Sequence, residues 1–283
     1  MRYRLEYALY RLFAGLMRLL PMETASAITG VLFRWIAPIS KRHDRVLEQL
    51  KLAYPNLSAQ EHDAIARQSW ETMGRVFAES FWLSEILHSD RVKVEHADRL
   101  LERFRQCNGF IACTAHQGNW EIAVVGFAQL GIRTAGIYQR LKNPFVDAMV
   151  RDQRAELYPD GLFQKQLSTG LAASKYVKKG GALSVMADLR ERRGPKVPFF
   201  GHLAPSNPFP AILAVTLNKP VFIAHVQREA GVRFKIRVDE IQVAQSGDRE
   251  ADILETTARI QLALENNIRS RPGEWMWSLG RWI

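Results

Sequence analysis

Cysteine is scarce: the 283 residues contain two, Cys107 and Cys113, flanking an apolar run. They form neither a CxxC pair nor a metal-type spacing, and read as free thiols of a reduced compartment with one of them buried. An unbroken stretch of about 20 apolar residues, the minimum for a simple spanning helix, is also missing. The N-terminal apolar segment is cut by Arg11, Arg18 and Glu23, and the uncharged stretch from Val197 to Asn218 holds four prolines, which exclude one continuous helix. No secretory signal is expected, because no small-residue cleavage site follows an unbroken apolar core after Arg2 and Arg4. There is no P-loop, no G-x-G-x-x-G, no HExxH and no G-x-S-x-G elbow, and the seven histidines are scattered. Nucleotide use, metal catalysis and a serine-nucleophile route therefore have no sequence support, and neither a metal nor a cofactor is expected. Internal repeats and low-complexity segments are absent too.

What is present is ordinary globular composition with a basic balance, 39 Lys+Arg against 29 Asp+Glu, a formal +10. That excess suits nucleic acid, an acidic membrane surface, a phosphorylated substrate or an acidic carrier protein. No nucleic-acid recognition motif accompanies it, so nucleic acid is not an expected partner.

Residues 1–95 read as helical. From Leu5, the positions Leu9, Leu12, Phe13, Leu16 and Leu20 recur at helical spacing, with Arg4, Arg11 and Arg18 on another face. That pattern fits a helix lying in a membrane interface and equally a helix packed on the core; nearby Arg34, Trp35, Lys41 and Arg42 suit a headgroup zone. Ser58 and Glu61 form a capping box for a helix carrying Ala66, Trp70, Met73, Phe77 and Phe81 on one face. From residue 96 onward, short apolar runs alternate with helical patterns. Strands are predicted at 110–115, 134–138, 182–187, 221–226 and 233–238, and helices at 119–130, from Pro144, and at 248–268. The chain is expected to be one domain of α/β class: a helical N-terminal part, then a core with a mostly parallel sheet flanked by helices. Sites in such sheets gather at the carboxyl ends of strands. Three polar clusters fall there, His116 to Glu121, Gln139 to Asn143 and Asp188 to Arg193.

In Thr114-Ala115-His116-Gln117-Gly118-Asn119-Trp120-Glu121, His116 and Glu121 would lie about 140° apart on a continuous helix. They can meet only if His116 precedes the helix and Glu121 opens it, with Gly118 and Asn119 making the turn and the cap. Glu121 would then set the tautomer of His116 and steady its positive charge during proton transfer. A hydrogen-bonded structural histidine satisfies the same spacing.

The H-x4-E pattern on a strand-to-helix turn resembles the glycerolipid acyltransferase superfamily. The form HQGNWE is similar to the HxGNWE of the bacterial lipid A biosynthesis (lauroyl/myristoyl) acyltransferases. Further similarities follow in order: Ala53 to Ser58, Gly74-Arg75 with Ala78-Glu79, Tyr138 to Pro144, Arg151 and Arg154, Ala187-Asp188 through Gly201, Asn207 to Ala211, and Trp275 to Ser278 with Arg281-Trp282. Gln139, Leu189, Leu279 and Gly280 depart from the family's usual residues. The resemblance implies transfer of a fatty acyl chain from a thioester, on acyl carrier protein, to a hydroxyl of a lipid A precursor. It implies direct attack by the acceptor without an acyl-enzyme, at the cytoplasmic face of the bacterial inner membrane. His116 is then the expected base with Glu121 its partner, and Arg154 or Arg151 the expected oxyanion or phosphate contact. Asn119, Arg140, Lys142, Asn143 and Asp188 are the expected substrate contacts. The basic residues Lys175, Lys178, Lys179, Arg190, Arg192, Arg193 and Lys196 are candidates for receiving an acidic carrier. The alternatives are an acyltransferase for another glycolipid or a lysophospholipid, or a lipid-binding protein without catalysis.

Overall fold

The computed structural model describes residues 1–166 and 168–282. Five helices lead: α1 (Arg2–Arg18), α2 (Met22–Ile36), α3 (Lys41–Ala53), α4 (Ala59–Glu79) and α5 (Leu83–Leu87). Then come β1 (Val92–Val94), α6 (Ala97–Gln106), β2 (Phe110–Thr114), α7 (Glu121–Gln129), β3 (Thr134–Tyr138), α8 (Pro144–Arg154), β4 (Leu162–Gln164) and α9 (Thr169–Lys178). The chain continues through β5 (Ala182–Met186), β6 (Lys196–Phe199), β7 (His202–Pro205), α10 (Phe209–Leu217), β8 (Val221–Arg228), β9 (Phe234–Ile241) and α11 (Arg249–Ser270). The strand at Val92–Val94 lies inside the span read as helical from sequence; three residues are too few to show an alternating pattern.

Seven strands form one sheet in the order β1-β9-β8-β2-β5-β3-β4. All neighbours are parallel except β8 and β9, which the short link 229–233 can join only as an antiparallel pair. β6 and β7 form a separate hairpin, so the proline-rich stretch resolves into this hairpin followed by α10.

The central strand β2 is buried along its whole length, as expected of a strand covered on both faces. Its side chains alternate between two cores. Ile111 and Cys113 join Leu183, Val185, Val221 and Ile223 under Ala173, Ala214, Ile260 and Leu264. Phe110 and Ala112 join Ala182, Phe222 and Ala224 under Phe104, Ile122 and Val125. The capping box is formed: Ser58 Oγ accepts from the Glu61 N–H, and the Glu61 carboxylate accepts from the Ser58 N–H at 2.7 Å. Asp248 caps α11 without a reciprocal partner, its side chain accepting from the N–H groups of Glu250 and Ala251.

Helix α1 presents two apolar faces. Tyr10, Phe13 and Met17 pack inward, with Phe13 stacked on Phe77 at 5.4 Å between ring centroids. Leu5, Leu9, Leu12, Leu16 and Leu19 face outward, and Leu19 is 80% exposed. On α2 and just after it, Ile28, Val31, Leu32, Trp35, Ile36 and Ile39 are exposed as well. Among the described residues, no helix is long and apolar enough to cross a membrane.

Candidate active site

The register of the two central parallel strands builds the site. Thr114 at the end of β2 pairs with Met186 at the end of β5. Two residues beyond that pair, His116 and Asp188 therefore leave the sheet side by side. His116 Nδ1 lies 2.9 Å from Asp188 Oδ1, and the His116 N–H donates to Asp188 Oδ2 at 2.8 Å. The indole N–H of Trp275 donates to Oδ2 at 2.9 Å. Asp188 is fully buried. Burial pushes its carboxyl up, but the charge of His116 and the hydrogen bonds from its ring, from Trp275 and from its main chain outweigh burial and hold it below the ordinary aspartate value.

An ionised Asp188 can only accept, so Nδ1 of His116 carries the proton and Nε2 carries the free lone pair. The ring retains partial exposure, 17%, with Trp120 edge-on at 5.0 Å between centroids. The partner of His116 Nδ1 is thus Asp188, where the sequence reading expected Glu121. Helix α7 begins at Glu121, and its carboxylate turns instead to α8: Arg154 Nη2 donates to Glu121 Oε1 at 2.5 Å. Both groups are mostly buried, with side-chain exposures of 6% and 24%. Burial works against the Arg154 charge, but the Glu121 carboxylate, together with the phenol groups of Tyr158 and Tyr138, more than offsets it, and its pKa is raised. A carboxylate in the first turn also suits the positive end of α7.

The turn between the two pairs is set by Gly118, whose φ of +55° belongs to the left-handed region that glycine enters without strain. Asn119 does not cap α7. Its Nδ2 donates to Glu79 Oε2 at 2.9 Å, and the cap position falls to Trp120, with no side-chain cap bond. The C-terminal segment closes over the turn: Gly118 N–H donates to Glu274 O and Met276 N–H to His116 O, both at 2.9 Å. Gln117 and Asn267 are joined side chain to side chain at 2.6 Å.

The other expected contacts divide by place. Asn143 caps α8 and donates to Tyr3 O at 2.8 Å and Glu6 Oε2 at 3.0 Å, so its polar atoms tie α8 to α1. Arg140, Lys142 and Arg151 are exposed beyond β3 and along α8, with Arg140 3.9 Å from Asp147. Arg190, Arg192 and Arg193 follow β5, and Lys196 opens β6. Lys175, Lys178 and Lys179 lie at the opposite end of β5, where α9 hands over to it. A strand of five residues, roughly 17 Å, separates the two basic groups, so they do not form one patch.

Sequence reasoning gave Asp188 only the place of a polar anchor and left Trp275 and Glu79 without a role. Their signal was their position in the resemblance, since no local spacing connects them to His116.

A search among curated proteins gave no significant match. The family model of the bacterial lipid A biosynthesis acyltransferases matches residues 2–283. A mostly parallel sheet with a His/Asp pair at its carboxyl edge thus carries a match over nearly the whole chain, and the protein belongs to that acyltransferase family.

Proposed function

We propose that this acyltransferase moves a fatty acyl chain from an acyl-carrier-protein thioester to a hydroxyl of a lipid A precursor, with His116 as general base. The observation that carries the reading is the His116–Asp188 contact at 2.9 Å with Asp188 fully buried. It leaves Nε2 as the acceptor of the hydroxyl proton. The acceptor oxygen attacks the thioester carbonyl as its proton passes to Nε2. The tetrahedral intermediate then expels the thiolate, which takes that proton back as the C–S bond breaks. Asp188 stabilises the imidazolium between these steps without itself taking the proton. Arg154, aimed by Glu121, and the exposed Arg151 one turn earlier supply positive charge for the oxyanion or a substrate phosphate. Arg140, Lys142, Arg190, Arg192 and Arg193, around the ends of β3 and β5, suit anionic partners.

The outward face of α1 and α2 supports a peripheral seat on the membrane. Leu5, Leu9, Leu12, Leu16, Leu19 and Trp35 would enter the interface while the exposed Arg4 and Arg11 meet headgroups; Arg18 and Arg34 are instead paired with Glu85 and Glu71.

The deciding experiment assays purified protein with labelled acyl-carrier and acyl-coenzyme A donors against a lipid A precursor and a lysophospholipid. His116→Ala should fold normally and lose about 10²–10⁴-fold in transfer. Wild-type turnover by this variant would remove His116 from the mechanism, and preference for the lysophospholipid would reassign the acceptor.

A further inference from the structure

Glu79, at the C-terminal end of α4, is fully buried although ionisable, and its two oxygens take four donors. Oε1 accepts from Ser26 Oγ and from Arg228 Nη1, both at 2.6 Å. Oε2 accepts from Arg228 Nη2 and from Asn119 Nδ2, both at 2.9 Å. The bidentate Arg228 neutralises the carboxylate, which is what lets it stay charged inside the protein. The fourth donor matters most for the site. Asn119 is 1% exposed and stands between His116 and Glu121. Among the described residues its Oδ1 has no partner, so Nδ2 alone holds the side chain.

That hold comes from the α4 side onto a turn whose first residues, His116 to Gly118, are tied to the C-terminal segment, while Asn119 itself is held by side chain only through Glu79. Gly118 has a left-handed backbone, and α7 starts without a side-chain cap. On one side of Asn119 is the imidazole held by Asp188, and on the other is the carboxylate held by Arg154. The spacing between these two pairs depends on the path of residues 117–120.

We propose that Glu79 is a positioning residue for acyl transfer: its carboxylate, charge-matched by Arg228, clasps Asn119 and so sets His116 and Glu121 at their working separation. This rests on His116 being the base, as proposed above. Displacements of about 1 Å in a reacting geometry cost on the order of a hundredfold in rate. Removal of the clasp should therefore appear in kcat, while the donor and acceptor sites remain formed.

The test measures kcat, KM and thermal midpoint for Asn119→Ala, Glu79→Gln, the double variant and His116→Ala in one transfer assay. Asn119→Ala leaves Glu79 its bonds to Ser26 and Arg228, so the fold should be kept. The expected result is a roughly ten- to hundredfold fall in kcat with KM within about twofold. Because the two residues act through one hydrogen bond, the double variant should be no slower than the slower single. If Glu79→Gln does not fold without its charge, Asn119→Ala alone decides the question. Wild-type kcat in Asn119→Ala would overturn the clasp, as would losses in the two singles that multiply in the double. If His116→Ala stays active, the base assignment has failed instead. If it is inactive while Asn119→Ala is normal, only the clasp has.

Discussion

The indole N–H of Trp275 and the main-chain N–H of His116 donate to the same oxygen of Asp188, Oδ2, leaving Oδ1 to the imidazole. The carboxylate is thereby oriented from both sides before any substrate arrives. Trp275→Phe keeps most of the ring volume and deletes the donor. Hydrogen bonds to charged groups are worth about 1.5–3 kcal/mol, so a stability loss of that order is expected, with a fall in kcat and KM nearly unchanged. Chemical denaturation and steady-state kinetics measure both.

Asp188→Asn changes the proton count of the dyad with little change of shape. Activity should fall on the order of 10²–10⁴-fold, as the amide can neither orient the Nδ1–H tautomer nor stabilise imidazolium. The variant also reports on pH. The Asp188 carboxyl is depressed in the folded protein, so it binds its proton more weakly there than when unfolded. Its contribution to stability is fully present above the ordinary value of 3.8 and is lost as pH falls through the lower folded value. Thermal midpoints of wild type and Asp188→Asn should differ by a constant amount from neutral pH to about pH 5 and converge under strongly acidic conditions.

Glu121 and Arg154 form a largely buried ion pair, and removing one partner strands the other. Arg154→Ala or Glu121→Ala should each cost about 3–5 kcal/mol, the usual penalty for breaking a buried pair. The apolar double variant Glu121→Leu/Arg154→Met should regain much of that stability. Activity should not return with it, since the positive charge proposed to meet the oxyanion or a substrate phosphate is gone. Recovery of turnover in the double variant would assign the pair to folding alone.

The outward leucines of α1 are each at least half exposed, so they can be changed without emptying the core. Leu9→Ser and Leu12→Ser together should weaken co-sedimentation with anionic vesicles at least about tenfold, given roughly 1.5–3 kcal/mol for each large aliphatic side chain buried. Thermal stability in solution should be unchanged. Undiminished vesicle binding would move the membrane contact away from α1.

The two basic groups lie at opposite ends of β5, which turns carrier docking into a comparison. Reversing Arg192 and Arg193 to Glu, beside the site, should raise KM for a carrier-bound donor and flatten its salt dependence. Reversing Lys178 and Lys179, at the far edge of the sheet, should leave both unchanged. Equal effects from the two reversals would argue for long-range charge attraction in place of a docking surface.

Elements with a local cause were legible in the sequence: the capping box at Ser58 and Glu61, the apolar runs of β2, β3 and β5, the start of α8 at Pro144 and the long face of α11. Periodicity and capping act over a few residues, so one stretch of chain carries the whole signal. The same holds for His116 and Glu121 as residues on a strand-to-helix turn. Which side chains they meet was decided by the tertiary structure. Asp188 reaches His116 across 72 residues because β5 lies in register beside β2. Trp275 reaches Asp188 across 87, because the segment after α11 returns over the sheet edge. Glu79 reaches Asn119 across 40, from the end of α4. Strand order and helix packing set these meetings, and both arise from burial shared among distant segments; no spacing within any one segment encodes them.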